Sequence, residues 1–335
     1  MDPFTHGLLG GSLAAAGSRS ETLRPAAAVG FLAATLADLD TFIQSDLDPL
    51  LQLEYHRQFT HSFAFIPLGA LIAILLAWPW VKRWLSFRQG YGAALLGYGT
   101  AGLLDACTSY GTQLLWPLSD MRLAWNLVPV VEPVTSLVLL CFLLLAVRRS
   151  RPAFSQYGLV LFLLWLTLAG WQNGRATELV MAYAQQRGDK VQDVQIKPTM
   201  GNLILWRGVY KSQGMVQSVA VRPGVWGEDR LYPGDRTSWF DASKGFPGVD
   251  ANSVLGRDVV RFADLSGHFL VVHPQHGNVL GDGRYALLPH QISPLWGIVV
   301  DPAKSQQHAP FATLRPWDKS TLAVFMAMLV GKALD

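Results

Sequence analysis

The chain has 335 residues, half of them hydrophobic and only 15% charged, with a mean hydropathy of +0.25. A soluble globule carries about 25% charged residues, and the shortfall here lies almost wholly before about residue 172. That excludes a simple soluble protein. A net charge of only +3, with no basic run interleaved with aromatics, excludes a nucleic-acid partner.

Two short apolar pieces come first, residues 4–17 and 25–37. Each is too short for a comfortable crossing, so a tilted or re-entrant helical hairpin is expected. Asp2 and His6 stand where a signal peptide would carry its basic residues, so a cleavable leader is not expected. Four longer apolar runs follow, at residues 62–81, 89–104, 133–147 and 153–171, and are read as four long spans. Beyond them, "NGRATELVMAYAQQRG" keeps a helical spacing and continues the last span outward. The runs "NLILWRGVY", "MVQSVAVR", "DVVRFADL", "HFLVVHP" and "LWGIVV" are strand-like and are punctuated by Gly, Pro, Asp and Asn. The expected fold is therefore an α-helical membrane domain over residues 1–172, a small β-rich α+β soluble domain over 173–318, and a short C-terminal helix over 319–335. Both cysteines, Cys107 and Cys141, lie in the apolar half, so the soluble domain needs no disulfide.

Basic residues set the orientation. Arg19 and Arg24 mark the hairpin turn. Lys82, Arg83 and Arg88 join the first two long spans, and Arg148, Arg149 and Arg151 join the last two. The positive-inside rule places these links in the cytoplasm. His6, Asp38, Asp40, His56, His61, Asp105, Asp120 and Glu132 then all face outward, together with the soluble domain. Nearly every side chain of metal-ligand type in the apolar half thus reaches one face of the membrane.

Imidazole and carboxylate together suit zinc, manganese or iron. The candidate metal ligands are His6, Asp38, Asp40, His56, His61, Asp105 and Glu132, enough for one or two ions. Asp38 and Asp40 are two apart and converge only if the helix ends near Ala37. His56 and His61 are five apart and need a turn, with Thr60 a candidate cap for the helix that follows. Asp105 or Asp120 is the candidate base or water-orienting carboxylate, and Arg57 and Arg122 are candidates to hold an anionic group. Singly, each of these residues has a plainer reading as a cap, an interfacial anchor or an ion-pair partner. An acid at a membrane span, however, is costly unless it is paired or working. The histidines of the second half, His268, His273, His276, His290 and His308, read as surface-loop residues. No nucleophile elbow or phosphate loop is present, and "GYGTAG" reads as close helix packing.

The stretches "MDPFTHGLLGGSLA", "LADLD", "HRQFTHS", "LLDACTSYGTQLLWPLSDMRLAWN" and "VVEPVTSL" resemble the YdjM-type, LexA-regulated inner-membrane family of metal-dependent hydrolases. The resemblance covers about residues 1–150 with specific motifs and is looser beyond. It implies a helical core in the bacterial inner membrane with a metal site at His6, Asp38, Asp40, His56, His61 and Asp105. Gln58, Asn126 and Glu132 depart from the family's usual Gly, acid and Asp. The expected function is a membrane-bound hydrolase whose metal, zinc first, activates water against a phosphoester or lipid-like substrate. Membrane lipid is the expected partner. The alternative is a non-enzyme with a structural metal whose outer domain binds an envelope component. A transporter fits less well, because the acids gather at one level.

Overall fold

The computed structural model describes residues 1–224, 227–315 and 319–334. The chain divides into two compact units. The first comprises Met1–Ile43, Tyr55–Gly170 and Met200–Asn202, and the second takes Gln44–Glu54, Trp171–Thr199 and the chain from Leu203 onward.

The first unit is helical. Helix α1 (Pro3–Ala16) starts on Asp2, whose carboxylate accepts the Thr5 N–H at 2.9 Å, with Pro3 opening the helix. Helix α2 (Leu23–Leu36) runs directly into a 3-10 turn over Ala37–Phe42 that carries Asp38 and Asp40. After a short α3 (Leu51–Tyr55), of which all but Tyr55 belongs to the second unit, two 3-10 turns, Phe59–His61 and Phe63–Phe65, lead into α4 (Ile66–Val81). Helix α5 (Phe87–Ala106) opens on a Ser86/Gln89 capping box, and α6 (Pro133–Arg149) on Glu132. Helix α7 (Pro152–Gln186) has 35 residues and passes into the second unit at Trp171. At 1.5 Å per residue it is about 52 Å long, well beyond a bilayer's apolar thickness.

Packing in this unit inverts the soluble pattern. Ala70, Ala73, Ala77, Ala93, Ala94 and Ala101 fill its interior, while Leu75, Leu76, Leu163 and Leu164 face outward, as lipid requires. Helices α1, α2 and α5 approach through Gly10, Gly30 and Gly97. A Cβ on Gly97 would overlap the Gly30 carbonyl oxygen, and one on Gly30 would press on Gly10. "GYGTAG" therefore does serve close packing.

Among the described residues, three helical stretches are long and apolar enough to cross a membrane: Leu23–Phe42, Phe63–Val81 and Pro152–Gln186. This differs from the expected four long spans after a short hairpin. The 3-10 extension lengthens the second hairpin helix. Helix α5 has 20 residues, but glycines and polar groups dilute its apolarity, and α6 stops at 17.

The second unit carries two four-stranded antiparallel meanders. One is ordered β1 (Val191–Pro198), β2 (Trp206–Ser212), β3 (Met215–Arg222), β4 (Arg230–Ser238). The other is β5 (Leu270–His273), β6 (His276–Asp282), β7 (Trp296–Val299), β8 (Phe311–Thr313). A single bridge, Trp239 to Val271, links β4's end to β5. "DVVRFADL", expected as a strand, lies in helix α8 (Val254–Leu265). Ser253 caps α8, and Leu255, Val259, Phe262 and Ala263 form its buried face at helical spacing. Short apolar runs do not separate the two periods. Helix α9 (Lys319–Leu329) closes the described chain. His273 is buried, its Nδ1 accepting the Gln275 N–H, so the surface-loop expectation fails for it.

The segment Gln44–Glu54 joins this second core, with Leu50 wholly buried against Leu255, Val259, Leu280 and Ile298. Arg261 on α8 pins it electrostatically. Its guanidinium donates to Glu54 at 2.7 and 2.8 Å, to Asp48 at 2.9 and 3.2 Å, and to Asp258 at 2.7 Å. Burial pushes the Asp48 carboxyl up, but the hydrogen bonds and charge of Arg261, with His308 and the Leu50 N–H, together outweigh it and hold the carboxyl below the usual range. A depressed folded-state pKa adds stability above about pH 4, and that stability is lost as the pH falls through the depressed value. Arg261→Met should therefore lower thermal stability by about 1–3 kcal/mol at pH 7. The loss should shrink on acidification, as read by unfolding curves of the full chain. An equal loss at pH 3 would contradict the ion-pair account.

Candidate metal centre

Four helix ends meet in the first unit. His6 lies in the second turn of α1 and Asp38 just past α2. His61 precedes α4, and Asp105 sits in the last turn of α5. All four side chains are buried, and each offers a ligand atom within 4.8 Å of the others. His6 Nε2 stands 3.2 Å from Asp105 Oδ1 and 3.9 Å from Asp38 Oδ2. His61 Nε2 stands 3.2 Å from Asp105 Oδ2 and 3.5 Å from Asp38 Oδ1. Ligand atoms about 2.1 Å from a tetrahedral ion are about 3.4 Å apart, so these spacings match the edges of one coordination shell.

Hydrogen bonding supports the same reading. His61 Nε2 and Asp38 Oδ2 are buried without a hydrogen-bond partner, and Asp105 Oδ2 has none beyond its ion pair with Arg57. His61 Nε2 and Asp105 Oδ2 are close but not aligned on each other. Buried polar atoms seldom stay unpaired, and atoms that converge on a common point without bonding one another suit a shared cation. Charge agrees. The buried side chains Asp38, Asp40 and Asp105 outnumber the buried cationic groups beside them, the Arg57 guanidinium and the Met1 amino group, which leaves the cluster net negative when the histidines are neutral. The donor set fits a divalent metal.

Arg57 belongs to the surroundings of this group. Its backbone is left-handed, φ 62°, a conformation that costs a residue with a side chain roughly 1–3 kcal/mol. That turn lets the backbone N–H reach Asp40 Oδ2 at 2.9 Å while the side chain reaches Thr108 Oγ1 at 2.7 Å and Asp105 Oδ2 at 2.9 Å. The Met1 main-chain nitrogen also lies against Asp105.

The remaining sequence candidates fall outside the four-residue group. Asp40 and His56 bond to each other at 2.9 Å beside His61. Glu132 is buried as the cap of α6, its Oε2 accepting the Thr135 N–H at 2.6 Å. Asp120 is exposed in a loop. Arg122 donates to the His56 carbonyl at 3.1 Å and the Gly111 carbonyl at 3.3 Å, and shares the Tyr110 ring with Arg57. Thr60 does not cap a helix; its hydroxyl donates to Asp40 Oδ2 at 2.6 Å.

Two positions that serve the site escaped sequence reading. Gly102 lies under the His61 carbonyl, where any Cβ would overlap it. Thr108, one turn past Asp105, anchors Arg57. Gly102 belongs to the "GYGTAG" run, so a signal for close approach was present, but nothing in the text named the partner.

A bundle of apolar helices with a buried imidazole–carboxylate group at their ends defines a helical membrane protein with a candidate metal centre. The YdjM inner membrane protein family matches residues 1–176, more than half of the chain, and the chain belongs to that family. Comparison with curated proteins and with solved structures gives no match.

Proposed function

We propose that this protein is a membrane-embedded, metal-dependent hydrolase whose His6, Asp38, His61 and Asp105 hold one divalent ion. Zinc fits first, with manganese or iron as alternatives. The observation that carries this reading is the convergence of four buried ligand atoms at coordination-shell spacing. When bound, such an ion acts as a Lewis acid and brings the pKa of a water toward about 7. Asp105, shared by both histidines and Arg57, is placed to orient that water or take its proton. The Arg57 guanidinium supplies the adjacent positive charge, which favours an anionic substrate such as a phosphoester or lipid headgroup.

The site and the second unit are assigned to the extracytoplasmic side. In support, the turns carrying Arg19, Lys82, Arg83, Arg149 and Arg151 join the helix ends opposite to those bearing the ligands.

A second reading has its own support. The ligand groups are almost wholly buried, as in closed structural sites, whereas catalytic sites keep an open position. A screen of phosphoesters and phospholipids in mixed micelles with Zn²⁺ or Mn²⁺ separates the two. Turnover that disappears in Asp38→Ala supports the hydrolase. Metal-loaded protein inert across the screen supports a structural ion.

A further inference from the structure

The geometry points to Asp40 as a positioning residue that fixes the His61 ring, not as a metal ligand. The inference rests on the metal reading above and specifies how the centre is held.

The two carboxylates of "ADLD" meet opposite edges of one imidazole. Asp38 lies 3.5 Å from His61 Nε2, on the side of the four-residue group. Asp40 Oδ2 lies 3.2 Å from His61 Nδ1, on the far side. Asp40 is saturated where Asp38 is not. Its Oδ1 pairs with His56 Nδ1 at 2.9 Å. Its Oδ2 accepts the Arg57 N–H at 2.9 Å and the Thr60 hydroxyl at 2.6 Å. Asp38 Oδ2 has no hydrogen-bond partner.

The direction of these bonds settles which His61 nitrogen carries hydrogen. Thr60 has a single hydroxyl proton and gives it to Asp40. Its oxygen, 2.9 Å from His61 Nδ1, must therefore accept. Nδ1 carries the proton, and in the neutral ring the Nε2 lone pair faces the cluster. A carboxylate that orients a ligating histidine through its second nitrogen is a recurrent outer-shell device, and its loss costs 10–100-fold in metal affinity. Asp40 reaches the ring both directly and through Thr60. It also ties down the Arg57 backbone, so the same carboxylate shapes the turn that presents His61.

The test uses the full chain in detergent. Zn²⁺ affinity is measured against a chromophoric chelator, and the Co²⁺-substituted protein gives its visible spectrum. Asp40→Ala should weaken affinity about 100-fold, while Asp40→Asn, which keeps an accepting oxygen, and Thr60→Val should weaken it about tenfold. All three should keep the wild-type coordination number by their Co²⁺ bands, whereas Asp38→Ala should change it. Unchanged affinity in Asp40→Ala overturns the proposal, and so does a loss matching Asp38→Ala with altered bands. Should Asp40→Ala fail to fold, Asp40→Asn, nearly the same shape, carries the test, and unchanged affinity there overturns the proposal.

A metal-independent measurement separates this claim from the functional one. In ¹⁵N-histidine spectra of metal-free protein, the His61 Nδ1–H should be protected from solvent exchange, and Asp40→Ala should remove that protection while Asp40→Asn weakens it. If wild-type protein bound no metal, the functional reading would fall, and this protection would still decide what Asp40 does.

Discussion

Asp105→Asn should strip the centre of its metal. The change is nearly isosteric, so packing on α5 is kept and the charge is lost. Asp105 is the carboxylate common to His6 Nε2 at 3.2 Å, His61 Nε2 at 3.2 Å and Arg57 Nε at 2.9 Å. Removing a ligand should exceed the roughly 10–100-fold penalty of removing an orienting partner. It also leaves the buried Arg57 guanidinium without its counter-charge, a change that costs about 3–5 kcal/mol in other buried pairs. The metal-free variant should therefore unfold at lower temperature than metal-free wild type, and chelator competition should find affinity at least about 100-fold weaker. Asp120→Asn, in an exposed loop, should match wild type in both measurements. Retained affinity in Asp105→Asn would remove Asp105 from the ligand set.

Gly102→Ala should damage the site without touching a ligand. Its Cβ would overlap the His61 carbonyl oxygen and crowd the Leu114 side chain. The first of these is backbone, so no rotamer change relieves it, and His61 must move away from α5, which carries Asp105 three residues on. Overpacking of this kind costs about 1–3 kcal/mol. A shift of about 1 Å in one ligand is enough to break a coordination shell whose distances are held within about 0.2 Å. Gly92→Ala on the same helix is the control, since a Cβ there meets nothing within 4 Å. It should be neutral or gain up to about 1 kcal/mol from helix propensity. Equal metal content in the two variants would show that α5 does not set the His61 position by contact.

The ligand types were legible because acids and imidazoles are conspicuous in an apolar text, and basic links alone sorted them to one end. His6, Asp38, His61 and Asp105 emerged that way and meet in the structure. What the text did not divide was the inner group from the outer. Asp38 and Asp40 look equivalent in "ADLD", and only a 3-10 turn that places them at opposite edges of the His61 ring separates them. Glu132 read as a ligand because a buried acid and a helix-capping acid are the same letter. The strand expectation for residues 258–265 failed because a short apolar run fits both periods until Leu255 and Val259 are known to share a core. Membership of Gln44–Glu54 in the second unit was invisible, since it rests on a partner, Arg261, more than 200 residues away in sequence.

Elemental analysis of the full chain, purified in detergent without chelator, tests the central claim most directly. Close to one divalent transition-metal ion per chain, lost in Asp38→Ala and His61→Ala, is the expected result. Protein that arrives without metal and takes up no Zn²⁺, Mn²⁺ or Fe²⁺ on titration would contradict it.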